Sequence, residues 1–193
     1  MYLNPPARKW TCEAIINPAV EQFHRKLPDY AETPLVPLGD LARELGVGHV
    51  LVKDESSRFG LPAFKILGAS WAIYRAVAAK VGLPPTVSLE ELGSAANKQS
   101  VKLVACSDGN WGRAVARMAR YLGVPATVFV PKNIDKTTQD KIASEGARVP
   151  VVQGDYDASI RAAIVEAEGS NGLLAMDTSW PGYEEIPGVS HHA

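Results

Sequence analysis

Apolar spacing in the first half of the chain predicts one long amphipathic helix among shorter elements. Apolar side chains recur every three or four residues, as on one face of a helix, at Phe64, Leu67, Trp71, Tyr74 and Val77. Short helices are expected over 20–26 and 38–45, with a strand over 49–53. A glycine and two prolines within 82–85 end the long helix, because these residues do not continue it.

From residue 101 the pattern changes to short apolar strands that alternate with amphipathic helices. The predicted strands are 101–106, 126–130, 148–152 and 173–176, and the predicted helices between them are 111–122, one that begins after Asp135, and 157–167. Strands separated in this way form right-handed βαβ units on a parallel sheet. The pattern therefore predicts an α/β fold with an open, twisted parallel sheet and helices on both faces.

Composition and charge exclude several classes of function. The chain has 193 residues, of which 46% are hydrophobic and 21% charged, and its net charge is −1 with both signs interspersed. That balance argues against a nucleic-acid groove or a polybasic membrane surface. No apolar run is long enough to cross a bilayer, and the first ten residues lack the apolar core of a signal peptide. We therefore expect a cytoplasmic globular protein without nucleic-acid or membrane partners.

Cysteine and histidine positions give no sign of a metal centre. Cys12 and Cys106 have no metal-binding or redox spacing, and the adjacent His191 and His192 have no further ligands nearby. Cys106 lies in a predicted apolar strand, so we expect a buried free thiol there rather than a disulfide.

Lys65 is the first candidate for chemistry because it opens the long helix. The positive end of the helix dipole favours a neutral amine, and Phe64 and Ile66 can partly desolvate it. A neutral amine can form a Schiff base with an aldehyde. The alternative is an ordinary solvated lysine, which is what most lysines are.

Two further candidate segments follow predicted strands. The loop 107–112 contains Asp108 and Asn110 between glycines whose backbone amides can surround an anion, and Asp177 follows the last strand. Either segment can instead be a simple capped turn. Ligands in open parallel sheets bind beyond the carboxyl ends of the strands. We therefore expect Asp108 and Asp177 on one sheet edge with Lys65, as two proton-transferring carboxylates and an amine.

These segments resemble those of a known enzyme family. Lys53-Asp54-Glu55-Ser56, Arg58-Phe59-Gly60-Leu61 and Ala63-Phe64-Lys65 resemble the Schiff-base lysine segment of diaminopropionate ammonia-lyases. The loop 107–113 and the segment 177–187 are similar to later segments of the same enzymes. The resemblance extends from about residue 20 to residue 187. It implies a fold-type-II pyridoxal-phosphate enzyme of the tryptophan-synthase-β-like superfamily.

The resemblance implies a role for each candidate residue. Lys65 would bind pyridoxal 5′-phosphate and remove the substrate α-proton, and Asn110 would contact the pyridine hydroxyl. Asp108 and Asp177 would lie near the substrate amino groups and exchange protons with them. The implied reaction is the α,β-elimination of ammonia from 2,3-diaminopropionate or a related amino acid.

The chain departs from the family at two points. Trp111 stands where the family usually has histidine, so we expect a narrowed or re-lined substrate pocket. The family's glycine-rich phosphate loop lies later than the matched residues. We accordingly expect residues 1–85 to be an incomplete N-terminal part of the large cofactor domain, 86–180 a small α/β domain and 181–193 a tail.

Three functional interpretations stay open at this point. One is a lyase that acts on a small amino acid, and the second is a non-catalytic or repurposed domain for binding or assembly. The third is acid–base catalysis without a cofactor, using Lys65 and Asp108. Because the apolar helix face at 64–74 is expected to lack packing partners, we also expect a homo-oligomer or dependence on a partner protein.

Overall fold

The computed structural model describes residues 17–191. Its helices are α1 (Pro18–Arg25), α2 (Gly39–Leu45), α3 (Lys65–Val81), α4 (Leu89–Lys98), α5 (Asn110–Leu122), α6 (Lys136–Ala143), α7 (Tyr156–Glu168) and α8 (Glu185–His191). Its strands are β1 (Leu35–Pro37), β2 (Leu51–Lys53), β3 (Lys102–Cys106), β4 (Ala126–Pro131), β5 (Val151–Val152) and β6 (Gly172–Leu174). A short 3-10 turn, Arg58–Gly60, precedes α3.

The second half of the chain forms a parallel sheet of four strands in the order β5-β4-β3-β6. Successive β3 side chains point to opposite faces, as the twofold period of a strand requires. Leu103 and Ala105 join a core that includes α3 and α5, whereas Val104 and Cys106 join a smaller core with Phe129 and α7. Helices therefore cover both faces, and the predicted fold class is confirmed.

Side-chain caps mark the first turn of helices α4 and α6. The Ser88 hydroxyl accepts a hydrogen bond from the Glu91 amide at 3.1 Å, and the Asp135 carboxylate accepts one from the Thr138 amide at 2.9 Å. Each bond satisfies an amide that has no partner within its helix, which is why the helix begins at that position. The cap at Asp135 agrees with the sequence analysis, which predicted that a helix begins after this residue.

Helix α3 is more fully packed than its sequence suggested. Trp71 and Tyr74 were expected to lack partners, but they are only 6% and 3% exposed. The reason is α1, whose Phe23 ring lies 5.3 Å from the Trp71 ring and 4.6 Å from the Tyr74 ring. Phe64 alone of this face is largely exposed, at 65%. The expectation is therefore wrong for the two residues that α1 covers.

Helix α8 lies within the segment that we predicted to be a tail. It packs so closely on α3 that a Cβ atom added to Gly68 would lie 2.3 Å from the Ser190 carbonyl oxygen. Only a glycine at position 68 permits this approach. Residues 192 and 193 lie outside the described part, as does Cys12. The division of the chain near residue 85 stays a prediction.

The first part of the chain contains a separate two-stranded antiparallel sheet. We call β1, α2 and β2, with the loops that join them (residues 35–53), the β1–β2 unit. Every residue of both strands is exposed. Large apolar side chains face solvent throughout this unit, at Leu35, Val36, Leu41, Leu45, Val47, Leu51 and Val52. None of the helices in the described part of the chain is long and apolar enough to span a membrane.

Candidate active site

A buried polar network orders the loop that leads to Lys65. The Arg58 guanidinium donates hydrogen bonds to the Glu55 carboxylate at 2.6 and 2.8 Å and to the Thr33 hydroxyl at 2.7 Å. It also reaches the Ala31 carbonyl oxygen at 3.2 Å. The hydrogen bonds from Arg58 hold the pKa of the Glu55 carboxyl below its usual value. Paired charges of this kind fix the loop more firmly than neutral bonds would.

The 3-10 turn before Lys65 has an unusual backbone conformation. Phe59 is fully buried, yet its φ angle is +50°, and Gly60 follows with a φ angle of +65°. A left-handed conformation costs a residue with a side chain about 1–2 kcal/mol. The Arg117 guanidinium donates to the Phe59 carbonyl oxygen at 2.7 Å and so satisfies a buried acceptor.

Lys65 and Asp177 meet although they are far apart in sequence. Lys65 is the first residue of α3, and Phe64 before it makes no side-chain cap. The Lys65 ammonium donates to the Asp177 carboxylate, with 2.7 Å between Nζ and Oδ2. The two side chains are 39% and 18% exposed, so the pair is accessible from solvent. Asp177 follows β6, the strand that pairs with β3.

A pocket with a volume of about 360 Å3 lies beside this ion pair. Its walls come from the first turn of α3, the start of α5, the loop after β6 and the end of α8. The lining residues are Phe64, Lys65, Leu67, Gly68, Trp111, Asp177, Ser190 and His191. The volume lies within the range of small-molecule sites, and a mainly apolar wall with one ion pair is typical of them.

Trp111 has a fixed position in the wall of this pocket. Its side chain is only 4% exposed, and the indole Nε1 donates to the Ala175 carbonyl oxygen at 2.8 Å. That bond joins α5 to the segment that leads to Asp177. The expectation that Trp111 lines the pocket agrees with this geometry.

Asp108 and Asn110 lie on the same sheet edge but further from the lysine. They follow β3, the neighbour of β6, and both are exposed. Among the residues described, neither forms a hydrogen bond with Lys65 or lines the pocket. Ser107 folds their loop, because its hydroxyl accepts from the amides of Gly109 at 3.0 Å and Gly112 at 2.8 Å. The structure thus brings together Lys65 and Asp177, with Asp108 and Asn110 at the periphery.

Tyr183 supports the pocket and was missed in the sequence analysis. Its hydroxyl donates to the Leu174 carbonyl oxygen at 2.8 Å and accepts from the Met176 amide at 2.9 Å. Trp180 stacks on its ring, with 4.4 Å between the ring centroids. Burial raises the pKa of Tyr183 to about 12, so the phenol keeps its proton. Trp180 and Tyr183 lie in the segment 177–187 that resembles the family, but the sequence analysis gave neither residue a role.

Comparison of the sequence with known proteins identifies the family of this chain. The sequence profile described as pyridoxal-phosphate dependent enzyme matches residues 26–186. The chain belongs to this family. Diaminopropionate ammonia-lyase of Salmonella typhimurium is 41% identical to it over 169 residues, which are 86% of this chain and 42% of that enzyme.

Solved structures of this pyridoxal-phosphate family have the same fold. Diaminopropionate ammonia lyase of Escherichia coli in its apo form superposes with a TM-score of 0.82 and 38% identity, over 90% of this chain and 47% of that one. The same enzyme in complex with an aminoacrylate–PLP azomethine reaction intermediate superposes with a TM-score of 0.80 and 36% identity. The chain spans less than half the length of these relatives.

The described residues fit the aldehyde end of the family's cofactor, pyridoxal 5′-phosphate, and offer one helix start to its phosphate. The aldehyde requires an amine, and the Lys65 amine lies at the pocket with 39% of its side chain exposed. The phosphate requires donors, and helix α3 begins without a side-chain cap beside the pocket. Uncapped amides at a helix N-terminus bind anions readily. Pyridoxal-phosphate chemistry is therefore compatible with this site.

Proposed function

We propose that the protein is a pyridoxal-phosphate-dependent carbon–nitrogen lyase that releases ammonia from 2,3-diaminopropionate or a related small amino acid. The observation that carries the proposal is the pair of Lys65 and Asp177, with 2.7 Å between Nζ and Oδ2 at the pocket. Support comes from relatives that are diaminopropionate ammonia-lyases, although the chain covers only 42% of the first of them.

In this proposal Lys65 has two tasks. Its Nζ would hold the cofactor, and as a free amine it would remove the proton from the substrate α-carbon. When bound, pyridoxal phosphate supplies the electron sink that stabilises negative charge at that carbon. The position of Nζ at the first turn of α3, beside the pocket, is suited to both tasks.

Asp177 acts on the same proton path. Its Oδ2 accepts the hydrogen bond from Lys65 Nζ, so it fixes the direction of the amine. After Lys65 has taken the α-proton, this oxygen can accept that proton from the ammonium and pass it to the β-amino group as the carbon–nitrogen bond breaks, so that ammonia leaves as a neutral molecule. The Asp177 side chain is 18% exposed, so solvent reaches it less than it reaches Lys65, at 39%.

Asp108 and Asn110 are assigned to the substrate and cofactor periphery. We propose that Asn110 contacts the pyridine hydroxyl and that Asp108 exchanges protons with a substrate amino group. The negative charges of Asp108 and Asp177 act on one side chain in common, that of Tyr156. Burial raises the pKa of this tyrosine, and the charges of Asp177 and Asp108 raise it further.

Reductive trapping tests the proposal directly. The protein is incubated with pyridoxal phosphate, reduced with borohydride and digested, and the labelled peptide is mapped. We expect label on Lys65, loss of that label in Lys65→Ala, and no change in Lys80→Ala, which alters an exposed lysine at the other end of α3. Label spread over surface lysines would contradict the assignment. Ammonia and pyruvate release from 2,3-diaminopropionate then tests the reaction.

A second proposal concerns assembly and rests on the β1–β2 unit. We propose that another protein surface, from a second copy or a partner, covers its exposed apolar side chains. Seven large apolar residues within 35–53 face solvent, and sheets of two strands are rarely stable alone in water. Sedimentation over a range of concentrations tests this. Self-association without any specific label on Lys65 would favour the repurposed, non-catalytic alternative.

A further inference from the structure

A buried arginine connects the sheet region to the turn that precedes the lysine. Arg117 lies on α5 and is only 7% exposed. Its Nε and Nη2 donate to the two oxygens of the Glu145 carboxylate at 2.6 and 3.1 Å, while its Nη1 donates to the Phe59 carbonyl oxygen at 2.7 Å. The two-pronged contact with Glu145 fixes the plane of the guanidinium. The remaining nitrogen, Nη1, is therefore directed at Phe59 and also lies 3.5 Å from the Tyr121 hydroxyl.

The group that Arg117 contacts is in a strained conformation. Phe59 has a φ angle of +50°, and its side chain is fully buried. A bulky residue in the left-handed region persists only where its surroundings hold it there. The bond from Arg117 to its carbonyl oxygen is such a restraint. The surroundings of Phe59 therefore hold the turn in one particular backbone conformation.

The turn connects to Lys65 through a short and ordered segment. The Leu61 amide donates to the Arg58 carbonyl oxygen at 2.8 Å, and the Ala63 amide donates to the Leu61 carbonyl oxygen at 2.7 Å. Leu61 is itself only 2% exposed. The turn thus leads within a few residues to the start of α3, where Lys65 contacts Asp177.

We propose that Arg117, oriented by Glu145, is a positioning residue for Lys65. It holds the left-handed turn at Phe59 and thereby sets the place of the Lys65 amine relative to the Asp177 carboxylate. The proposal deepens the proposed function and rests on the role assigned there to Lys65. Arg117 itself does not contact substrate or cofactor.

The test removes the donor without leaving a buried charge alone. In Arg117→Met the Glu145 carboxylate keeps Arg113 at 3.0 Å and Arg120 at 3.4 Å. The matched control is Lys102→Met, which removes a cation from Glu166 while Arg148 remains at 3.0 Å. Arg117→Lys keeps the charge but lacks the planar fork.

Three measurements separate positioning from general stability. Amide exchange is followed at Gly60 and Leu61, in the turn, and at Val104, in the buried strand β3. The rate of acetylation of Lys65, divided by that of Lys80, reports the environment of the Lys65 amine in the absence of cofactor. Reductive trapping of pyridoxal phosphate on Lys65 reports its reactivity.

Arg117→Met is expected to speed exchange at Gly60 and Leu61 but not at Val104, and to change the acetylation ratio of Lys65. Trapping should fall by about tenfold, as expected from the loss of a charge-assisted hydrogen bond. Arg117→Lys should give intermediate values, and Lys102→Met should match the wild type.

Two results would overturn the proposal. One is equal acceleration of exchange at Val104 and in the turn, which would make Arg117 a general stabiliser. The other is an acetylation ratio in Arg117→Met equal to that of Lys102→Met. If wild-type Lys65 traps no cofactor, the proposed function fails, and exchange and acetylation still decide the positioning role.

Discussion

The β1–β2 unit and the parallel sheet are built from similar residues but have opposite environments. Leu51 in β2 is 52% exposed, whereas Leu103 in β3 is fully buried. The difference lies in coverage, because β3 has a strand on each side and helices α5 and α7 on its faces. The comparison teaches that apolar strands identify a sheet, while its neighbours decide whether that sheet is a core or an open surface.

The candidate site lies between these two regions and depends on both. One wall of the pocket lies at the edge of the parallel sheet and contains Asp177 and Trp111. Its lysine follows the loop that connects the β1–β2 unit to α3. An open side next to exposed Phe64 fits the proposal that another surface completes the site.

The largest contrast is expected in stability. Leu103→Ala should lower the free energy of unfolding by about 2–5 kcal/mol, because it leaves a cavity in a packed core. Leu51→Ala should lower it by less than about 0.5 kcal/mol, because the side chain is already half exposed. Urea denaturation of both variants measures the difference. Equal losses would show that the β1–β2 unit is buried in solution.

A second prediction concerns the ion pairs that the Glu145 carboxylate forms with Arg113 and Arg117. Although burial alone would raise the pKa of Glu145, hydrogen bonds from Arg117 and Arg113 hold it below its usual value. A carboxyl with a lowered pKa in the folded state stabilises the fold above its unfolded value, near 4.5, and loses that contribution as the pH falls through the folded value.

Glu145→Gln should therefore cost about 1–3 kcal/mol of stability at pH 7. The gap between the variant and the wild type should narrow as the pH is lowered below about 4. Urea titrations at several pH values measure both quantities. A gap that stays constant down to pH 2 would mean that the Glu145 charge contributes nothing.

Secondary structure after residue 101 could be predicted because strands buried on both faces appear as continuous apolar runs. Strand β3 and the helix cap at Asp135 leave local signals in the sequence. Two long-range contacts could not be predicted: the one between Phe23 and Trp71 and the bond from Arg117 to Phe59. The paired residues are 48 and 58 positions apart, and such pairing leaves no periodic pattern in the sequence.

The candidate site divides in the same way. Lys65 and Asp177 were identified from a helix start and from the end of a parallel strand. Their contact also depends on how α3 packs against the sheet, because Lys65 follows the antiparallel strands β1 and β2. The supporting bonds of Tyr183 depend on how the chain folds back after β6, which sequence spacing does not describe.

A third prediction concerns the wall of the pocket. Trp111→His removes the bond from the indole to the Ala175 carbonyl oxygen and should cost about 1 kcal/mol of stability. If the proposed reaction is correct, the smaller ring should also raise the rate with 2,3-diaminopropionate. Steady-state release of ammonia, compared with Trp111→Phe as a control for size, measures this. An unchanged rate in both variants would show that the indole does not restrict the substrate.

The last prediction concerns the substitution Leu51→Lys, which should change the stability of the fold least and the strength of association most clearly. Leu51→Lys places a charge on the β1–β2 unit where the side chain is already 52% exposed, so stability should change by no more than about 0.5 kcal/mol. If another surface covers the unit, burying that charge is costly, and association should weaken by about tenfold or more. Val165→Lys is the matched control, because Val165 is 69% exposed on α7 and outside the unit. Sedimentation equilibrium of the two variants, with stability checked by urea denaturation, decides the matter. Equal association of both variants with the wild type would remove the β1–β2 unit from consideration as an interface.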